Sequence, residues 1–266
     1  MLNLGCGAVR HPDWTNVDLS GDEGTLAIDV CKGLPFPDES FDVVYHSHLL
    51  EHIPQAAAGV LMSECTRVLK PGGIIRILVP DLEQIARIYL EKLSTASESE
   101  ADYDWIMLEL YDQCIREKSG GLMECYLRNS HADLSPFVAA RMGGSAAQYS
   151  EQTTGNLADI KPTWQNFARL LYKLRIEAVK WIIYAITGEN GRKAFMEGLF
   201  RSSGEIHRWM YDRFSLSRLM ANAEFVEIRV VSSLVSSIPD FARYKLDIAD
   251  GVVRKPDSLV MEGVKP

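Results

Sequence analysis

No run of eighteen apolar residues occurs in the sequence, so no membrane-spanning helix is expected. The opening Met1-Leu2-Asn3-Leu4-Gly5 lacks a basic leader and a long apolar core. No secretory signal is expected there, and a cytoplasmic location is the expectation. Cysteine is scarce: Cys6, Cys31, Cys65, Cys114 and Cys125 are odd in number, scattered, and never spaced CxxC. That excludes a disulfide framework and a cysteine zinc knuckle, and predicts reduced thiols. Positive charge is also short, with 28 Lys and Arg against 36 Asp and Glu and a net charge of -8. A broad duplex-DNA-binding surface is a poor fit to that balance. No P-loop Lys-Ser or Lys-Thr pair and no internal repeat are present. Gly and Pro are ordinary in amount, which disfavours disorder and collagen-like structure. The 266 residues suit one large α/β domain, or such a domain with an insertion.

What is there begins as alternating strand and helix signals. Short strands are expected at 2–4, 15–19, 26–30 and 41–48. A helix follows over 55–69, stopped by Lys70-Pro71-Gly72-Gly73. Residues 74–79 are almost all apolar, which suits a central buried strand. Such alternation predicts a mostly parallel sheet. Strand signals then vanish until about 203, and helices are expected over 81–93, 102–118, 134–147 and 164–187. A short helix at 215–223 and strands at 225–231 and 258–264 close the chain. Residues 233–255 read as a long connection, a flap over the strand ends. The resulting division is 1–81 and 204–266 as two parts of one core, and 82–203 as a helical insertion or lid.

The first strand ends in Gly5-Cys6-Gly7, a tight turn that lets a ligand approach backbone closely. Asp18 ends the next strand, where a carboxylate can accept both hydroxyls of a ribose. Asp29 closes the third and can reach an adenine amino group. The dinucleotide fingerprint is incomplete, because Gly7-Ala8-Val9-Arg10 has no third glycine. A nicotinamide oxidoreductase is therefore disfavoured.

These residues resemble class I S-adenosylmethionine-dependent methyltransferases. Leu2-Asn3-Leu4-Gly5-Cys6-Gly7 is similar to their first motif, and Asp18 to their ribose acid. Asp29 with Leu34-Pro35-Phe36 is similar to their adenine-side segment. Phe41-Asp42-Val43-Val44 with Leu50-Glu51-His52, then Arg67 to Gly73, follow in the family order. The resemblance covers residues 1 to about 80, and is weaker from 204 to 264. It implies a Rossmann-like three-layer α/β sandwich whose seven-stranded sheet is mostly parallel, with S-adenosyl-L-methionine as cofactor. It further implies that Asn3, Gly5, Cys6 and Gly7 line the amino-acid end of the cofactor. Asp18 and Leu19 would hold the ribose, Asp29 and Val30 the adenine, and His46 or its neighbours would lie beside the methionine moiety. Asn3 replaces the more usual acid of the family.

Three of the six histidines, His46, His48 and His52, fall within seven residues. The i,i+4 spacing of His48 and His52 would suit a metal on a helix, but no HExxH or cysteine partner accompanies it. No metal is expected. Methyl transfer needs alignment above all, and a hydroxyl acceptor also needs a base. His48, leaving a strand at its carboxyl end, is one candidate. The segment Gly204-Glu205-Ile206-His207-Arg208-Trp209-Met210-Tyr211-Asp212 supplies another, with Glu205 and His207 as an acceptor-side pair. Asp212 could instead cap a helix. This segment loosely resembles one in methyltransferases encoded among sugar-polymer biosynthesis enzymes, which implies O-methylation of a saccharide or another hydroxylated small molecule. Transfer to a small natural product or to nitrogen, and a cofactor-binding module without turnover, stay open.

A large insertion can cover an acceptor and exclude water. Residues 164–187 carry Arg169, Lys173, Arg175 and Lys180 against Glu177 alone, before Trp181-Ile182-Ile183-Tyr184. Such a helix could touch a membrane surface or a lipid-linked acceptor, form a homodimer surface, or pack on the sheet domain with its charges outward. Nucleic acid is disfavoured as a partner. No Asn/Asp-Pro-Pro-Tyr motif follows the fourth strand, and the insertion shows no alternation of basic and aromatic residues.

Overall fold

The computed structural model describes residues 1–130, 134–143 and 164–266, with backbone alone for 164–170. Strands β1 (Leu2–Leu4), β2 (Thr15–Asp18), β3 (Thr25–Ala27), β4 (Phe41–Ser47) and β5 (Leu69–Pro80) run parallel. Later in the chain come β6 (Val226–Val231) and β9 (Ser258–Val264). The seven form one sheet in the order β3-β2-β1-β4-β5-β9-β6, with β9 antiparallel to both neighbours. This is the α/β fold with a seven-stranded, mostly parallel sheet expected above.

Both faces of the central strands β1, β4 and β5 are buried, so these strands are rich in apolar residues. On one face Leu2, Leu4, Val44, Ile75, Ile77 and Met261 pack beneath helix α1 (Gln55–Val68). Helix α7 (Arg213–Asn222) adds Leu216 and Met220 to the same core. Asp212 caps α7: its carboxylate accepts from Phe214 and Ser215 N–H, while Ser215 Oγ accepts from Asp212 N–H.

The other face is covered differently. No helix forms between β1 and β2, only a turn ending at Trp14. The connection 232–255 lies on this face, its Ile238, Phe241, Tyr244 and Leu246 packed against Trp14, Val43, Tyr45, Leu78 and Val260. It includes a single 3-10 turn, Phe241–Tyr244, and a two-stranded hairpin of β7 (Ile248–Ala249) and β8 (Val252–Val253). The expected flap is thus a wall of the core. Arg76 on β5 anchors it, fully buried between Asp247 at 2.6 Å and Glu262 at 2.7 Å. Tyr45 Oη donates to the other Asp247 oxygen at 2.8 Å.

The insertion carries α2 (Leu82–Ser94), α3 (Glu100–Ile115), α4 (Gly121–Asn129), α5 (Pro136–Met142) and α6 (Trp164–Arg201). Helices α3, α4 and α5 share a small core of Trp105, Leu127, Val138 and Met142. Helix α4 was not legible in the sequence. The end of the helix expected at 134–147 lies outside the described residues. Helix α6 bends at Gly188, whose φ of 72° breaks the helical run. None of residues 171–201 of α6 is buried. No described helix is long and apolar enough to cross a membrane.

Candidate functional site

The sheet order reverses between β1 and β4, because β1 is followed by β2 on one side while β4 lies on the other. Open α/β sheets bind ligands at such a switch point, outside the carboxyl ends of the strands. A cavity of about 240 Å³ opens there, lined by Asn3, Gly5 to Val9, Ser47, His48, Asp247 and Arg254 among others. Gly5 adopts φ +62°, and a Cβ there would lie 2.9 Å from Leu49 Cδ1. Both the backbone conformation and the space therefore demand glycine. Gly7, at φ +50°, is held for its conformation alone.

Asp18 completes the turn. Its Oδ2 accepts from Gly7 N–H at 2.9 Å and its Oδ1 from Ser20 N–H at 3.4 Å. The carboxylate stays partly exposed, with acceptor capacity toward a ribose. Leu19 is exposed beside it. Asn3 lines the cavity, but its amide donates to Val9 O and Asn16 Oδ1, bracing the loop instead of reaching outward. Cys6 Sγ is buried against Thr25 Oγ1.

Two of the expected cofactor residues turn their side chains into the core. Val30 faces the main hydrophobic core, beneath a 3-10 turn that Asp29 caps by accepting from Cys31 N–H. His46 is fully buried, in register with Leu4 and Ile77 on the α1 face. Side chains alternate along a strand, so Tyr45 and Ser47, not His46, reach the cavity.

Neither ring nitrogen of His46 has a partner among the described residues, and burial holds its imidazole down at about 4 against an ordinary 6.5. Below pH 6.5 the unfolded chain takes up this proton while the folded chain does not until about pH 4. Stability from this group is complete above 6.5 and falls on acidification by ~1.4 kcal/mol per pH unit, about 3 kcal/mol in all. Urea unfolding at stepped pH should show that loss, and His46→Leu should remove this share of the slope. An unchanged slope in the variant would rule the residue out.

His48 follows β4 with φ +52°, a conformation that costs a non-glycine residue ~1–2 kcal/mol. The strained backbone directs its ring between two environments. It lines the cavity, its Nε2 lies 2.8 Å from Ser258 Oγ, and its Nδ1 lies 3.1 Å from Glu51 Oε1. Glu51 is a site residue that sequence reasoning missed. It belongs to a 3-10 turn, Leu50–His52, and is fully buried. His52 Nε2 and His207 Nε2 each lie 4.0 Å from the same Glu51 oxygen. The two imidazoles meet edge to face, with centroids 4.8 Å apart.

Backbone hydrogen bonds bring His207 there from far along the chain. Glu51 O accepts from Arg208 and Trp209 N–H, His207 N–H donates to Gln113 O, and Leu82 N–H donates to Tyr211 O. Burial holds the His207 imidazole down at about 3 despite Glu51. Burial would neutralise Glu51, but His48, then His207 and His52, outweigh it and hold the carboxyl at about 2. The cluster at neutral pH thus pairs a carboxylate with a neutral His207. The expected Glu205–His207 pair does not form: Glu205 accepts from Gly120 N–H at 3.0 Å and meets Arg116 at 3.3 Å. It ties the insertion to the core. Trp209 is exposed, whereas Tyr211 is core.

Residues 2–77 match the family described as methyltransferase domain. A probable S-adenosylmethionine-dependent methyltransferase of Mycolicibacterium smegmatis is 38% identical over 99 residues, 30% of this chain and 38% of that protein. The demethylmenaquinone methyltransferase of Staphylococcus haemolyticus is 30% identical over 102 residues, 34% of this chain and 42% of that protein. The chain thus spans about two-fifths of the length of these relatives. A solved SAM-dependent methyltransferase of Archaeoglobus fulgidus aligns with 99% of this chain and 85% of its own, at 12% identity and a TM-score of 0.39.

Proposed function

We propose that the chain is an S-adenosyl-L-methionine-dependent methyltransferase that methylates an oxygen of a hydroxylated acceptor, with a saccharide as the favoured class. The observation that carries this reading is His48. It is the titratable side chain that joins the cavity below Gly5-Cys6-Gly7 to a buried carboxylate, Glu51. The match of residues 2–77 to a methyltransferase domain supports the cofactor.

Bound there, the cofactor supplies an electrophilic methyl group on a sulfonium. The glycine turn admits its amino-acid end, and Asp18 orients its ribose. Asp29, a partly exposed carboxylate beyond β3, would face its adenine. His48 would take the proton of an acceptor hydroxyl placed against that methyl group. Ser258 Oγ braces the ring through Nε2, and Glu51 lies against Nδ1. His207 faces the same Glu51 oxygen. Helix α6, which exposes Trp181, Ile182 and Ile186, supports a lipid-linked acceptor or a membrane surface as the lid's contact.

Labelled S-adenosyl-L-methionine offered with sugars, polysaccharide, phenols and amines tests this. Oxygen methylation is expected, cut ~100-fold or more in His48→Gln with cofactor affinity kept within a few-fold. Transfer to nitrogen or carbon alone would overturn the acceptor class, and near-normal turnover of the variant would remove His48 as the base.

A further inference from the structure

Glu51 poses a question that methyl transfer does not answer. Its carboxylate is fully buried, and neither oxygen accepts an aligned hydrogen bond from a described residue. His48 Nδ1, though 3.1 Å away, is off the line of such a bond. A buried anion without partners costs several kcal/mol unless a cation sits against it.

The neighbouring imidazoles sharpen the point. His52 Nδ1 lies 3.1 Å from Ile206 O, and a carbonyl only accepts, so that nitrogen carries the proton. The other nitrogen of the ring, Nε2, faces the Glu51 carboxylate, 4.0 Å away. His207 Nε2 faces the same oxygen at the same distance, and its ring makes no hydrogen bond among the described residues. Two imidazole nitrogens and a buried carboxylate oxygen thus converge on one space, the arrangement that a positive ion between them would use.

We propose that Glu51, His52 and His207 form a binding site for a divalent transition-metal ion of the zinc class. Their ligand atoms lie within 4.8 Å of one another. Bonds of ~2.0–2.1 Å on a tetrahedral ion require ligand atoms about 3.3 Å apart, so the three side chains close by under ~1 Å on average. His52, the partly exposed member, can turn to do so. Two imidazoles and one carboxylate suit zinc-like ions and are a poor set for magnesium or calcium, which prefer oxygen. The Nδ1–H bond from His52 to Ile206 O is the outer-shell brace that metal-bound histidines commonly have. Three protein ligands leave a position open, as in catalytic zinc sites.

The role of the ion rests on the methyltransferase reading. In the open position it would hold an acceptor hydroxyl and lower its pKa beside His48. The site itself stands on the cluster geometry alone.

The test strips the full chain with a chelator and titrates Zn²⁺ calorimetrically, with Co²⁺ absorption as a second probe. One ion per chain is expected, with the visible bands of a four- or five-coordinate site. His207→Ala and His52→Ala should each weaken Zn²⁺ binding ~100-fold or more. Unfolding midpoints check that each variant folds, and partly exposed His52→Ala decides if His207→Ala does not. No stoichiometric binding, or binding unchanged in the folded variants, overturns the site. S-adenosyl-L-methionine is titrated into the same samples. Zinc without cofactor binding leaves the site and overturns the methyltransferase reading, whereas cofactor binding without zinc does the reverse.

Discussion

Arg76→Leu is expected to lose ~3–5 kcal/mol of stability, the penalty for breaking a buried ion pair from one side. The guanidinium holds Asp247 and Glu262, and also donates to the carbonyls of Ser232 and Val235. Its face lies 4.8 Å from the Phe241 ring. Without it, two buried carboxylates lose their cation. They must take up protons or pull the 232–255 connection off the sheet. That connection is also a wall of the cavity through Leu246 and Asp247, so cofactor affinity should fall with stability. Replacing Arg76, Asp247 and Glu262 together by apolar residues of similar volume should restore most of the loss, because no charge is then stranded. Urea unfolding measures both variants. A loss below ~1 kcal/mol in Arg76→Leu would show that the network is not what holds this face.

Asp18→Ala should weaken S-adenosyl-L-methionine binding ~10- to 100-fold. Hydrogen bonds to a charged acceptor contribute about 1.5–3 kcal/mol, and each 1.4 kcal/mol is tenfold in affinity. Asp18 acts twice, since the oxygen that braces Gly7 N–H shares its carboxylate with the acceptor offered to a ribose. The alanine variant removes both. Asp18→Asn keeps the volume and part of the bracing, so it should lie between. Calorimetry reads the affinity, and an unchanged value in the alanine variant removes the ribose assignment.

Much of the sheet was legible in the sequence because its signals are local. Gly5-Cys6-Gly7, Asp18, the helix over 55–68 and the apolar run at 74–79 each follow from turn chemistry or periodicity over a few residues. Which of His46 and its neighbours faces the cavity was not legible, because both faces of β4 are buried. Phe41-Asp42-Val43-Val44-Tyr45 then shows no clean alternation to say which side chains face the cavity. Glu51 carries no periodic signature at all. Its importance comes from a segment some 150 residues later, drawn in by hydrogen bonds from Arg208 and Trp209. Glu205 was read with His207 because the two are neighbours in sequence, but in an extended segment residues two apart need not share partners, and Arg116 claims Glu205. The 233–255 connection was read as a flap because little in it marks regular structure. Its burial depends on Arg76, which lies on another strand.

The most direct test of the account is a calorimetric titration of S-adenosyl-L-methionine into the full chain, with S-adenosylhomocysteine and NAD as competitors. The account predicts one saturable site per chain, displaced by S-adenosylhomocysteine and indifferent to NAD. Absence of binding, or a site that NAD fills instead, would contradict it.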